Sequence, residues 1–378
     1  SRLETGARIR LAPHRLSKID SCPRRNWFET RGGLKPDSIS SSNQLLDDDD
    51  SRSTRQMDEP NIEYEDSNLP SPTELGLIVH RMFEVGIGNP GPSGNQPSMP
   101  LPTTWANKVD SRLLDSGLMA EVFDELLPRG VDREKTSEIV AVMLQRIEEG
   151  HIGRLSNAEI IDGERVEGLR TEYPFTISNE ISFESVPRTR WTPDGEQTLA
   201  NIANAFVDMD GSIDLVLCST HEDDSSSIRP IDLKTEQAES VLTGSGKLLD
   251  AYGNSSTSPA NDAELDMLEH HRLQLALYHR ALEKMEASRP EGQRRRVERP
   301  AILVGVSGRL VIYPEEMFAA AQADLDKILA TAARMELVTE LPLAEFQRRP
   351  ESEAHICKIC PFSRGVLPIC GPLPELVT

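Results

Sequence analysis

Ser227-Ile-Arg-Pro-Ile-Asp-Leu-Lys-Thr235 reads as a short strand, and side chains two apart in a strand project to the same side. Asp232 and Lys234 therefore share one face, which makes this the segment that most constrains the fold. Upstream, Ala205 to Leu217 reads as two β-rich runs about Asp210-Gly211, a strong tight-turn dipeptide, with Asp214 near the start of the second run. Pairing of that run with the Asp232 strand brings two carboxylates and one ammonium to a single point. Hard divalent cations such as Mg²⁺ take oxygen ligands, and such a cluster offers them beside a phosphate-facing Lys. Taken alone, an Asp-x-Lys also suits an edge strand with solvated charges, so the accompanying positions decide.

Glu74 to Glu84 has helical apolar spacing, with Gly76, His80 and Glu84 four apart on one stripe, where the small residue permits close approach near His80. Glu264 to Ala287 has helix-forming composition, and Gln274 and Tyr278 lie one turn apart within it. In order along the chain stand Gly76-xxx-His80-xxx-Glu84, Glu172-Tyr-Pro-Phe175, Gly211-Ser-Ile-Asp214, Asp232-Leu-Lys234 and Gln274-xxx-Tyr278. This order resembles the RecB-type branch of the PD-(D/E)XK nucleases, which includes the AddAB-type helicase-nucleases and the CRISPR-associated four-cysteine nucleases. The likeness runs from about residue 14 to 370, with long insertions.

The resemblance implies an α/β restriction-endonuclease-like core, a mixed central sheet flanked by helices, its ends joined by a metal cluster. It implies Mg²⁺- or Mn²⁺-dependent hydrolysis of DNA phosphodiester bonds. His80, Asp214 and Asp232 would bind the metal with the Leu233 carbonyl. Lys234 would orient the attacking water or stabilise the pentacovalent phosphate. Glu172 would serve as a further catalytic carboxylate, in support of the first metal or at a second one. Gln274 and Tyr278 would hold the DNA backbone or the site geometry. DNA end processing in recombinational repair is the expected setting, with exonuclease action and a fused or partner helicase. The alternatives are CRISPR adaptation, or a noncatalytic DNA-binding or scaffolding module of the same fold.

Cysteines supply a second line. Cys22 lies in Ser21-Cys-Pro-Arg-Arg25, and Cys357, Cys360 and Cys370 crowd the other end. By resemblance these four would hold a [4Fe–4S] cluster that joins the ends of the fold across a long loop. Nine residues separate Cys360 from Cys370, and a local zinc site of His355, Cys357, Cys360 and Cys370 is the alternative. Cys218 reads as a small buried residue.

The chain carries 62 acidic and 41 basic residues, for a net charge of −21, and only nine of the basic residues are lysine. An acidic, Lys-poor, Arg-retaining surface suits a cytoplasm of high salt, where a short Debye length keeps surface acid from repelling DNA at long range. Local basic clusters at Arg24-Arg25, Arg294-Arg-Arg296 and Arg348-Arg349 are then the candidate DNA contacts.

The expected organisation is an N-terminal segment with Cys22 (1–32), a disordered acidic insertion (33–72), a nuclease core with insertions (73–345) and a C-terminal cysteine segment (346–378). Within the core, helices are expected over about 104–127, 133–150 and 314–338, an insertion near 181–200, and a hairpin around Ser307-Gly308. No apolar run approaches ~18 residues, so no membrane partner is expected. The chain starts with Ser, which with the resemblance suggests the C-terminal part of a longer helicase-nuclease, although these residues hold no Gly-x-x-x-x-Gly-Lys-Ser/Thr phosphate loop.

Overall fold

The computed structural model describes residues 7–30, 69–87, 116–152, 164–192, 195–221 and 225–337. In chain order they form β1 (Ala7–Arg10), α1 (Arg15–Ser21), α2 (Pro23–Thr30), α3 (Pro72–Ile87), α4 (Ser116–Leu126), α5 (Arg133–Glu149), β2 (Glu164–Thr192), β3 (Gly195–His221) and β4 (Ser226–Lys234). There follow α6 (Ser240–Thr243), α7 (Asp262–His270), α8 (Arg272–Ala287), β5 (Arg296–Val297), β6 (Ala301–Val304), β7 (Arg309–Ile312) and α9 (Glu315–Leu337). The chain divides into two compact units, residues 1–67, 178–209 and 326–378 in one and 68–177 and 210–325 in the other. Among the described residues, no helix is long and apolar enough to cross a membrane.

In the first unit β1 runs parallel to the early part of β3, from Ala7 opposite Ala205 to Arg10 opposite Asp208. Leu11, Leu16, Ile19 and Val207 are buried there. Cys22 closes α1, is buried, and accepts the Arg25 backbone N–H at 3.4 Å. Cys357, Cys360 and Cys370, and with them His355 and Arg348-Arg349, lie outside the described residues, as does most of the expected 33–72 insertion.

The second unit is built around β4, whose residues Ser227 to Leu233 are all buried. This corrects the edge-strand alternative. On one side β4 pairs antiparallel with β3, from Leu215 opposite Ile231 to Thr220 opposite Ser226. On the other it runs parallel to β5 and then to β6, from Ile231 opposite Ala301 to Lys234 opposite Val304, and β7 closes antiparallel on β6. The sheet is thus mixed, as expected. Proline lacks the N–H a central strand needs, yet Pro230 falls where β5 gives way to β6 as the parallel neighbour, so the ladder is already interrupted there.

Three sequence expectations change. Asp210-Gly211 makes no turn: both residues are in strand conformation within β3, whose residues on either side are held in ladders, 205–208 by β1 and 215–220 by β4. The β3–β4 reversal comes later, closed by His221 N–H on Ser225 O at 2.9 Å. The expected insertion near 181–200 is mostly strand, belonging to the ends of β2 and β3. The helix over 264–287 is two helices, α7 and α8, broken at His271.

Capping sets the helix starts. Ser71 and Glu74 form a reciprocal box before α3, with the Glu74 N–H on Ser71 Oγ at 3.3 Å and the Ser71 N–H on Glu74 Oε2 at 2.7 Å, and Pro72 takes the first helical position. Asp132 caps α5 by accepting the Glu134 and Lys135 N–H groups, and Ile139, Val140, Met143, Leu144 and Ile147 give that helix its buried stripe. α3 packs on α4 and α5, and α8 packs on β4 and β5.

A buried ion pair organises the loop before α7. Arg309 and Glu264 are each 1% exposed, with Arg309 Nε on Glu264 Oε1 at 2.8 Å. The guanidinium also donates to the carbonyls of Asn254 at 3.1 Å and Ser258 at 2.8 Å, and Glu264 Oε2 accepts the Ala260 N–H at 2.6 Å. One arginine thereby satisfies two carbonyls of this loop, while the Ile312 N–H and the His151 ring serve those of Thr257 and Ser255.

Candidate active site

β4 ends by presenting Asp232 and Lys234 from one face, as the two-residue period requires. Continuing the β3–β4 register one step past Leu215 and Ile231 sets Asp214 beside Asp232. The Leu233 N–H donates to Asp214 Oδ2 at 3.0 Å, and the Leu233 carbonyl lies 3.0 Å from His80 Nε2. His80 Nε2 is in turn 3.8 Å from Asp214 Oδ2.

α3 reaches this point because of Gly76. A Cβ at that position would stand 3.3 Å from Thr235 Oγ1, so the missing side chain lets the helix settle against the end of β4. His80 is one turn farther along the same stripe. Glu84, a further turn along, pairs with Arg81 at 2.6 Å.

Glu172 enters from β2 with φ of +46°, a left-handed backbone that non-glycine residues seldom adopt inside a strand. Ser212 Oγ donates to its Oε2 at 2.7 Å. One donor atom each from His80, Glu172 and Asp214 lie within 4.8 Å of one another. Asp232 adjoins this trio, with its Oδ2 3.0 Å from Lys234 Nζ and its Oδ1 accepting from Gln274 Nε2 at 3.0 Å. Gln274 Nε2 also donates to Tyr278 Oη at 2.8 Å, and Phe175 supports the Tyr278 ring edge-on at 6.1 Å.

The electrostatics show a cluster short of positive charge. Burial, then the adjacent Asp232 carboxylate, pushes the Asp214 carboxyl well above its usual range. Burial acts on Asp232 the same way, but Lys234 and then His271 outweigh it and hold that carboxyl below its usual range. Burial pulls the Lys234 ammonium down, yet the Asp232 and Asp214 carboxylates prevail and raise its pKa, so it stays charged. Burial and the Lys234 charge lower His80, leaving a neutral imidazole at neutral pH. Burial and the two aspartates raise Tyr278, which keeps its phenolic proton.

A divalent cation fits these residues. A neutral imidazole, carboxylates and a backbone carbonyl are the donor set of Mg²⁺ or Mn²⁺. Asp232 Oδ2 is buried without a well-aligned hydrogen-bond donor, its ion pair with Lys234 notwithstanding. Such a group gains from added positive charge nearby.

Sequence reading did not single out Ser212, Glu236 or His271. Glu236 continues the alternation of Asp232 and Lys234, and that period-two spacing was the available signal. Of the basic clusters, Arg294-Arg-Arg296 is largely engaged within the fold: Arg295 pairs with buried Glu286 at 2.6 Å, Arg296 pairs with Glu298, and Arg294 Nε bonds the Arg289 carbonyl.

Residues 10–365 match the family described as the PD-(D/E)XK nuclease superfamily. No curated protein matches the chain.

Proposed function

This chain belongs to the PD-(D/E)XK nuclease superfamily, and on that premise we propose that it is a Mg²⁺- or Mn²⁺-dependent nuclease that hydrolyses DNA phosphodiester bonds. The observation that carries the reading is the convergence of His80, Glu172 and Asp214 within 4.8 Å beside the Asp232–Lys234 pair. His80, Asp214, Asp232 and the Leu233 carbonyl would hold the cation, with Glu172 in support of it or at a second one. When bound it supplies Lewis-acid activation of water and offsets charge on the phosphate.

The chain's own groups do the rest. Lys234, charged and anchored by Asp232, presents an ammonium where negative charge develops on the phosphate oxygens or where the attacking water must be oriented. Gln274 fixes Asp232 through Oδ1, so the carboxylate keeps its other oxygen toward Lys234. Tyr278, protonated and held by Gln274, has a hydroxyl proton for a DNA phosphate oxygen.

The setting we propose is DNA end processing, with exonuclease action and a fused or partner helicase, on the strength of the five ordered motifs. By the same resemblance, the placing of Cys22 before the His80 helix and of Cys357, Cys360 and Cys370 after the Gln274 helix supports these four as ligands of a [4Fe–4S] cluster. The division into a cysteine-bearing head, an acidic insertion, a nuclease core and a cysteine-bearing tail belongs to the same reading. The acidic, lysine-poor composition supports a cytoplasm of high salt.

The test is incubation of labelled single- and double-stranded DNA with Mg²⁺ or Mn²⁺, with and without EDTA, at low and molar salt. Cleavage that EDTA stops and that falls at least about 100-fold in Lys234→Ala and in Asp232→Ala, with DNA binding retained, is expected. Equal cleavage by wild type and either variant would sink the assignment. Anaerobic preparation decides the cluster: a brown protein supports four thiolates around iron, and a colourless one with zinc removes Cys22 from the ligand set.

A further inference from the structure

Glu236 and His271 stand beside the site with no part in the reaction as described. Glu236 follows Lys234 by two residues, and His271 precedes Gln274 by three, about one helical turn. His271 Nε2 donates to Glu236 Oε1 at 2.8 Å. One turn along α8, Gln274 Nε2 donates to Asp232 Oδ1 at 3.0 Å. Two bonds therefore tie the start of α8 to the end of β4 and the residues just beyond it.

Both ends of the Glu236–His271 bond sit at fixed bends. Gln237, next to Glu236, has φ of +56°, a left-handed turn that costs energy for a residue with a side chain. The turn is held by Ser240 N–H on the Gln237 carbonyl at 2.9 Å and by Leu248 N–H on Gln237 Oε1 at 3.3 Å. His271 occupies the break between α7 and α8, with its N–H on Met267 O at 3.1 Å and its carbonyl accepting the Leu275 N–H at 3.0 Å. Its side chain is 15% exposed. Burial alone would raise the Glu236 carboxyl, but the bond from His271 together with the nearby charges of His271, His270 and Lys234 outweighs it and holds the group below its usual range.

We infer that Glu236 and His271 are a positioning pair for the nuclease site. Their bond fixes the rotation and axial place of the α8 N-terminus, so that Gln274 meets Asp232 and Asp232 Oδ2 stays turned to Lys234. The inference rests on the nuclease reading above. Neither residue is assigned contact with DNA or the cation, and each acts through Gln274.

Steady-state DNA cleavage with Mg²⁺ by the full chain tests it, using His271→Ala, His271→Gln, Glu236→Ala, Glu236→Gln, Gln274→Ala and the His271→Ala/Gln274→Ala double variant. A small misplacement of reacting groups acts on turnover, so His271→Ala and Glu236→Ala should lower kcat about tenfold or more, with KM for DNA within about twofold. His271→Gln keeps a donor and Glu236→Gln keeps an acceptor, so both should recover most of that loss. The double variant should fall no further than the more impaired single variant, because both changes remove the same link.

Multiplicative losses in the double variant overturn the proposal, as does a change confined to KM. So does Glu236→Gln as impaired as Glu236→Ala, since the bond and not the charge is claimed. A wild type that cuts no DNA overturns the nuclease reading and this inference with it, whereas a cutting wild type with multiplicative losses overturns the positioning role alone.

Discussion

Replacing Arg309 by methionine isolates the worth of one buried cation. The Arg309 side chain is 2% exposed and that of Glu264 0%, so neither is screened by water. Loss of the guanidinium strands the Glu264 carboxylate, and breaking a buried pair in this way costs about 3–5 kcal/mol. It also removes the donors of the Asn254 and Ser258 carbonyls, each costing about 1–3 kcal/mol if it stays dry. The loop relaxes and admits water to those carbonyls, so the expected net loss is about 4 kcal/mol, or roughly 8 °C in thermal midpoint. Circular dichroism melts near neutral pH measure it. Arg309→Met/Glu264→Gln supplies the control, because a neutral amide needs no cation and still accepts from the Ala260 N–H. The double variant should regain about half of the loss. A single variant within ~1 kcal/mol of wild type, or a double variant no more stable than the single one, refutes the stranded-charge account.

Gly76→Ala should cut DNA at close to the wild-type rate, since Thr235 Oγ1 at 3.3 Å yields by a small rotation, whereas Gly76→Val should lower cleavage about tenfold or more by displacing α3 and with it His80. Isothermal titration with Mn²⁺ should show the same order, and tight binding by Gly76→Val would remove the packing argument. Asp132→Ala deletes the acceptor of two N–H groups at the start of α5 and should cost about 1 kcal/mol in a melt while leaving turnover unchanged. A loss of turnover without a loss of stability would contradict a purely capping role.

Residues with a strict period or a covalent constraint were legible in the sequence. The strand around Asp232, the hairpin at Ser307-Gly308 and the long helix over 315–337 came from alternation, a turn dipeptide and helical spacing, and each has those causes in the fold. Gly308 adopts φ of +68°, which its lack of a side chain permits. Asp210-Gly211 has the same local preference and no turn, because ladders flanking it impose extension. The break at His271 was hidden for a related reason: α7 and α8 both have helical composition, and what distinguishes the junction is a partner, Glu236, that is 35 residues away. The unusual backbone of Glu172 likewise leaves no mark on composition. The grouping of His80, Asp214, Asp232 and Lys234 was suggested by ordered motifs, but the turning of Asp232 toward Lys234 and Gln274 was not, since it depends on side-chain geometry.

Leu233 lies between the two charged residues of β4, and its peptide groups touch both Asp214 and His80. Its own side chain is buried in the sheet and makes none of these contacts. The letter at position 233 is thus nearly free to drift among apolar residues, while the amide and carbonyl it carries are not. Exchange for valine should pass unnoticed by the chemistry. Proline deletes the N–H that holds Asp214, and an ester at the same link would do so while leaving the strand's shape almost intact. Part of this site is therefore written in the main chain, where an alphabet of side chains cannot spell it.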